Sequence, residues 1–172
     1  MALSVSAMMG FRIFNALGLA VLAALMLHGA PAHAQEREVP YWASLRYDEV
    51  RMRVGPSEEY PIEWVYKRKG LPVKVVRVRE GWRFVEDPEG ERGWIARSQL
   101  DPERGALVTD KGLADLRAEP SASAALRWRA EPGVVAKLGT CREGWCDVDI
   151  AGRKGWIQQS RLWGTEALPG DE

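Results

Sequence analysis

Histidine and asparagine are confined to the first 34 residues of this 172-residue chain, as His28, His33 and Asn15. From Gln35 onward no imidazole is left for Ser-His-Asp or Cys-His catalysis, or for metal ligation. Cysteine is scarce as well: Cys141 and Cys146 alone are too few for a zinc site. No metal and no cofactor is therefore expected. Charge of one sign is not in excess, because 24 basic and 24 acidic side chains cancel. A nucleic-acid binder normally carries a basic footprint, so a nucleic-acid partner is not expected either.

The chain also lacks an apolar run long enough for a bilayer core, which takes about 20 residues. What it has is shorter. Ala16 to Leu27 is an unbroken apolar stretch preceded by one charge, Arg12, and followed by the helix breakers Gly29 and Pro31. Ala32-His33-Ala34 then supplies the small-x-small pattern of a signal-peptidase site. Residues 1–34 are thus expected to be a signal peptide cleaved after Ala34, which makes the protein periplasmic or secreted with no stable membrane insertion. The remaining 138 residues carry 23 basic and 24 acidic side chains.

Those residues contain themselves twice. Arg79-Glu80-Gly81-Trp82 returns as Arg142-Glu143-Gly144-Trp145, and Gly93-Trp94-Ile95 returns as Gly155-Trp156-Ile157. Upstream, Arg53-Val54-Gly55-Pro56-Ser57 answers to Arg117-Ala118-Glu119-Pro120-Ser121. The offset falls from 64 to 63 to 62 along the copies, so they differ by single-residue loop deletions. A unit of about 60 residues is a duplicated domain rather than a solenoid repeat. Within each copy the pattern is that of short strands. Residues 72–79 are rich in valine, Glu80-Gly81 is a hairpin turn, and 87–90 is a second turn before Gly93-Trp94-Ile95. Two small all-β barrels follow, over residues 40–101 and 105–165, joined by the short linker 101–105. One helical turn is expected near Ser98–Leu100 or over Ser57–Glu63. Thin cores suggest that the matched Trp82, Trp94, Trp145 and Trp156 fill the interiors.

Cys141 and Cys146 flank the second hairpin turn, where opposed residues lie within disulfide reach. In an exported chain a structural cross-strand disulfide is the expected state. The C-x₄-C spacing does not suit a C-x-x-C redox pair. The first copy has Val78 and Arg83 at these places.

Glu49-Val50-Arg51-Met52-Arg53-Val54-Gly55-Pro56, Trp64-Val65-Tyr66, Gly70-Leu71-Pro72-Val73, Gly81-Trp82, Gly93-Trp94-Ile95 and Cys141…Trp145-Cys146 stand in this order over nearly the whole chain after the leader. Together they resemble the bacterial SH3-like (SH3b) family, in particular its exported tandem form from Gram-negative bacteria. The resemblance implies two SH3-like barrels and a non-catalytic binding module of the cell envelope that recognises peptidoglycan or a protein or peptide partner.

The candidate ligand-binding residues are Arg53, Trp64, Tyr66, Arg117 and Trp128. The two arginines offer a guanidinium fork for a carboxylate, or alternatively bond loop carbonyls. Trp64 and Trp128 follow the R-x-x-P turns and are natural contact residues of a binding face. Two other functions compete: an assembly subunit that self-associates through strand edges, and a small wall hydrolase using Glu86, Glu89 or Glu91. The hydrolase reading suffers from carboxylates set in a turn, with no cleft to raise the pKa of one of them.

Overall fold

The computed structural model describes residues 37–109 and 112–171; the expected leader and its cleavage site lie outside them. Among the described residues, strands β1 (Tyr41–Leu45), β2 (Val50–Arg53), β3 (Ile62–Tyr66), β4 (Pro72–Arg79), β5 (Trp82–Glu86), β6 (Arg92–Ala96) and β7 (Leu100–Asp101) form one antiparallel sheet. Its order is β3-β2-β6-β5-β4-β1-β7. The second copy repeats it with β8 (Gly105–Val108), β9 (Ala114–Arg117), β10 (Leu126–Ala130), β11 (Val135–Arg142), β12 (Trp145–Ile150), β13 (Arg153–Gln158) and β14 (Leu162–Trp163), in the order β10-β9-β13-β12-β11-β8-β14. The duplicated all-β architecture read from the repeat is the architecture found.

Period-two alternation sets the inside of each barrel. On β4 and β5, Val73, Val75 and Val85 are fully buried, while Lys74, Arg77 and Phe84 turn outward. Met52, Val50, Leu45 and Ile95 complete the first interior, and Leu116, Val148, Ile157, Ala114 and Ala136 fill the second. Neither cluster contains a tryptophan. This corrects the expectation that Trp82, Trp94, Trp145 and Trp156 fill the cores: Trp82, Trp94 and Trp156 are half-buried on the outer faces, and Trp145 is buried outside both clusters. The interior of so small a barrel is narrow. It accepts Ile95 and the bare backbone of Gly93, which sends the indole between them outward.

Of the two places offered for a helical turn, the one near Ser98 forms it, as the 3₁₀ turn Arg97–Gln99. Residues 57–61 instead run as a bend-and-turn loop into β3.

Cys141 and Cys146 are opposed across β11 and β12 with Cα atoms 4.0 Å apart, and they form a disulfide. At the matching place in the first barrel, the buried Arg83 holds the hairpin by hydrogen bonds. Its Nε donates to the Tyr41 hydroxyl at 2.8 Å, and its Nη1 donates to the Trp82 and Arg79 carbonyls at 2.9 and 3.2 Å. Closing so short a loop stabilises by about 2 kcal/mol. A Cys141→Ser/Cys146→Ser variant is therefore expected to unfold about 2 kcal/mol more easily in urea, with the first barrel's chemical shifts unmoved.

The barrels touch across the 101–105 linker. Trp42 meets Trp163 edge-on at 4.6 Å, the Lys74 ammonium lies 2.7 Å from a Glu166 carboxylate oxygen, and Arg68 donates to the Gly133 carbonyl at 3.1 Å. Behind β14, a 3₁₀ turn at Pro169–Asp171 returns to β1. There Asp171 Oδ1 accepts the Trp42 N–H and the Arg37 guanidinium, both at 3.0 Å, and the Gly170 N–H donates to the Pro40 carbonyl at 3.1 Å.

Candidate functional site

The β2–β3 and β9–β10 loops share one construction. Arg53 Nη1 donates to the Tyr60 carbonyl at 2.7 Å, and Arg117 Nη1 donates to the Ala124 carbonyl at 2.8 Å, seven residues on in both copies. Inner bonds match as well: Ser57 and Ser121 N–H to the carbonyls two residues back, Tyr60 and Ala124 N–H to Ser57 and Ser121. The copies differ at Gly55 and Glu119, yet the loop is the same. The Tyr60 ring lies against Gly55 so closely that a Cβ there would sit 2.5 Å from it. In the second copy Ala124 stands at the position of Tyr60, which frees the space for Glu119. Both arginines thus bond loop carbonyls, and Arg117 also pairs with Asp115 at 2.8 Å.

Beyond these loops lie the outermost strands β3 and β10. Trp64 is 54% exposed and Trp128 48%, with Ile62 and Leu126 beside them at 43% each. Large apolar side chains are thus left in water at matched places of the two copies. Trp128 lies under the Arg153 guanidinium, 5.4 Å from the ring centre.

Tyr66, two residues from Trp64, behaves differently. It is buried, and its hydroxyl donates to Asp87 Oδ2 at 2.9 Å. The structure therefore places Tyr66 inside the barrel and not on the exposed surface with Trp64, because β3 dips into the core at its last residue. Burial first, and then the Asp87 carboxylate, hold its phenol far above the usual tyrosine range. Asp87 is itself buried and accepts the Glu89 and Glu91 N–H groups at 3.0 and 2.8 Å. The acidic turn is thus built around Asp87, and Glu86 is bonded by Arg92 Nε at 2.8 Å.

One part of the surface has no forerunner in the sequence reading. Two depressions of the second barrel meet at Trp145 and Gln158. The smaller, about 200 Å³, is bounded by Leu113, Asp115, Arg117, Ala122 and Arg161; the larger, about 670 Å³, by Glu143, Gly144, Gln159, Ser160, Thr165 and Glu166. Arg117 so combines a structural bond with a place on a cleft wall. The return of Gly144-Trp145 after a turn is the available signal, but by spacing alone a repeated tryptophan reads as core.

Two duplicated β-barrels, each with an exposed tryptophan on a strand at one end of its sheet, define a tandem all-β protein. The bacterial SH3 domain matches residues 46–102 and again 110–164, and the chain belongs to that family. Bacterial SH3 domains are binding modules. No curated protein matches the chain. Among solved structures it is similar to NlpC2 from Trichomonas vaginalis, at 14% identity over 72% of this chain and 48% of that one, with a TM-score of 0.33. NlpC1 from the same organism gives 14% over 75% and 47%, with a TM-score of 0.33. An NlpC/P60 family protein from Bacillus cereus gives 13% over 72% and 56%, with a TM-score of 0.33. The chain spans about half the length of these proteins.

Proposed function

We propose that this is an exported, non-catalytic adaptor of the cell envelope that holds peptidoglycan, or a protein or peptide partner, on the outermost strands of its two barrels. One observation carries the reading: Trp64 and Trp128 stand exposed at equivalent positions, each with an apolar neighbour on the same strand. Two such patches on one chain raise avidity for a repeating polymer. The apolar leader with its Ala32-His33-Ala34 site and the Cys141–Cys146 disulfide support export. Of the turn carboxylates, Glu86 is held by Arg92, and Glu89 and Glu91 stand exposed on a turn tied to Asp87, where no burial raises a carboxyl pKa; this supports the non-catalytic reading.

Purified sacculi test the wall version. The wild-type protein is expected to sediment with them, release no muropeptides, and lose at least about tenfold in affinity as Trp64→Ala/Trp128→Ala, the loss of one to two aromatic anchors. No retention at low or raised salt removes the wall ligand and leaves a protein partner, sought by periplasmic crosslinking. Self-association through β3, whose Ile62 and Val65 are also exposed, is separated by size-exclusion chromatography over a concentration series.

A further inference from the structure

We propose that the outer face of the first barrel is a separate binding surface for a carboxylate-bearing glycan strand. The inference rests on the reading of the chain as a binding protein, and not on which ligand the outermost strands hold.

Strand register builds this face. Arg77 is opposed to Phe84, Phe84 to Trp94, and Trp94 to Arg53, so these four side chains from β4, β5, β6 and β2 stand in one row on the same side of the sheet. Arg79 and Trp82, mutually opposed, begin the next row. The row is a real cluster: the Arg77 guanidinium lies 4.3 Å from the Phe84 ring centre, and Phe84 and Trp94 are 5.1 Å apart at 53°. Phe84, Trp94 and Trp82 are half-buried, whereas Arg77 and Arg79 are exposed and make no ion pair among the described residues. The carboxylate set into these strands, Glu86, is already bonded by Arg92. The face is therefore aromatic with cations to spare, complementary to an anion.

The strands also decide the kind of anion carrier. β2, β4, β5 and β6 each have both neighbours in place, so an extended peptide finds no free backbone edge here. A sugar ring needs none: its C–H face lies on an aromatic ring, and its carboxylate is taken by a guanidinium fork. The second barrel supplies the contrast. At the repeat offset, Thr140 and Asp147 stand where Arg77 and Phe84 do, with Asp149 for Glu86. Two carboxylates on that face repel an acidic polymer, so the surface belongs to the first barrel only.

Oligogalacturonate, neutral dextran oligomers and poly-glutamate, titrated into the full protein, test this. Wild type is expected to bind oligogalacturonate in a salt-weakened manner and to bind neither of the others appreciably. Arg77→Ala/Arg79→Ala is expected to weaken that binding at least about tenfold with an unchanged melting temperature; Arg142→Ala, at the second barrel's matching place, leaves it unchanged. Equal binding of dextran or poly-glutamate, or wild-type affinity in the Arg77/Arg79 variant, overturns the proposal. Sacculus retention by a protein that ignores oligogalacturonate sinks this inference and leaves the proposed function standing. Oligogalacturonate binding without sacculus retention supports this inference and removes only the wall ligand from the proposed function.

Discussion

Trp42→Ala is expected to cost about 3–5 kcal/mol and to split the unfolding of the two barrels into separate calorimetric transitions. Trp42 belongs to β1 of the first barrel, but it points outward, away from the core residues Tyr41 and Ala43. It is nonetheless 1% exposed. What covers it comes from the second barrel and its tail: the edge of Trp163, and the Glu166 carbonyl, which accepts its indole N–H at 2.9 Å. The Lys74 ammonium lies 5.3 Å from its ring centre. Truncation leaves a cavity at the junction and takes one of two donors from the Glu166 carbonyl, which keeps only the Arg104 guanidinium at 3.2 Å, so the penalty falls on the coupling between barrels and not on either interior. A single transition shifted to lower temperature would show that the junction is not what links them.

Asp87→Ala is expected to destabilise the first barrel by about 3 kcal/mol, since it takes the carboxylate acceptor from two amides and from the Tyr66 hydroxyl at once and leaves that hydroxyl only the weakly accepting Met52 sulfur at 3.4 Å. Tyr66→Phe removes one of those bonds and leaves Asp87 two donors, so about 1–2 kcal/mol is expected. The two together should cost less than their sum, as a double-mutant cycle on urea unfolding will read. Alkaline pH gives an independent readout. In the native barrel Tyr66 keeps its proton well above the range where a free tyrosine loses it, near pH 10. The stabilisation is therefore fully present below about pH 10 and is lost as pH rises beyond it, because the unfolded chain then binds fewer protons than the native one. Tyr66→Phe should flatten that alkaline decline.

The β4–β5 hairpin and its turns were legible in the sequence because valine runs and Glu80-Gly81 impose their own local geometry. The duplication and the disulfide were legible because they need only spacing. What local spacing does not carry is which side of a strand faces inward. The alternation around Trp94 is plain, but the narrow bore, which admits Ile95 and Gly93 and refuses an indole, is a property of the whole folded sheet. Tyr66 shows the same limit. Its neighbour Trp64 is exposed, and its own partner Asp87 lies 21 residues away in the acidic turn. Arg53 and Arg117 were readable as paired features, whereas the substitution of Tyr60 by Ala124 that lets Glu119 replace Gly55 becomes visible only when the ring is seen over the glycine.

The contact of Arg37 with Asp171 has a mechanical sequel. A polymer pulled between those two residues would be loaded at a single corner, peeling the Pro169–Asp171 turn off β1 hydrogen bond by hydrogen bond. The barrels behind that corner would feel no stretch until it had given way, so under tension the molecule opens like a clasp and not like two beads drawn apart on a thread.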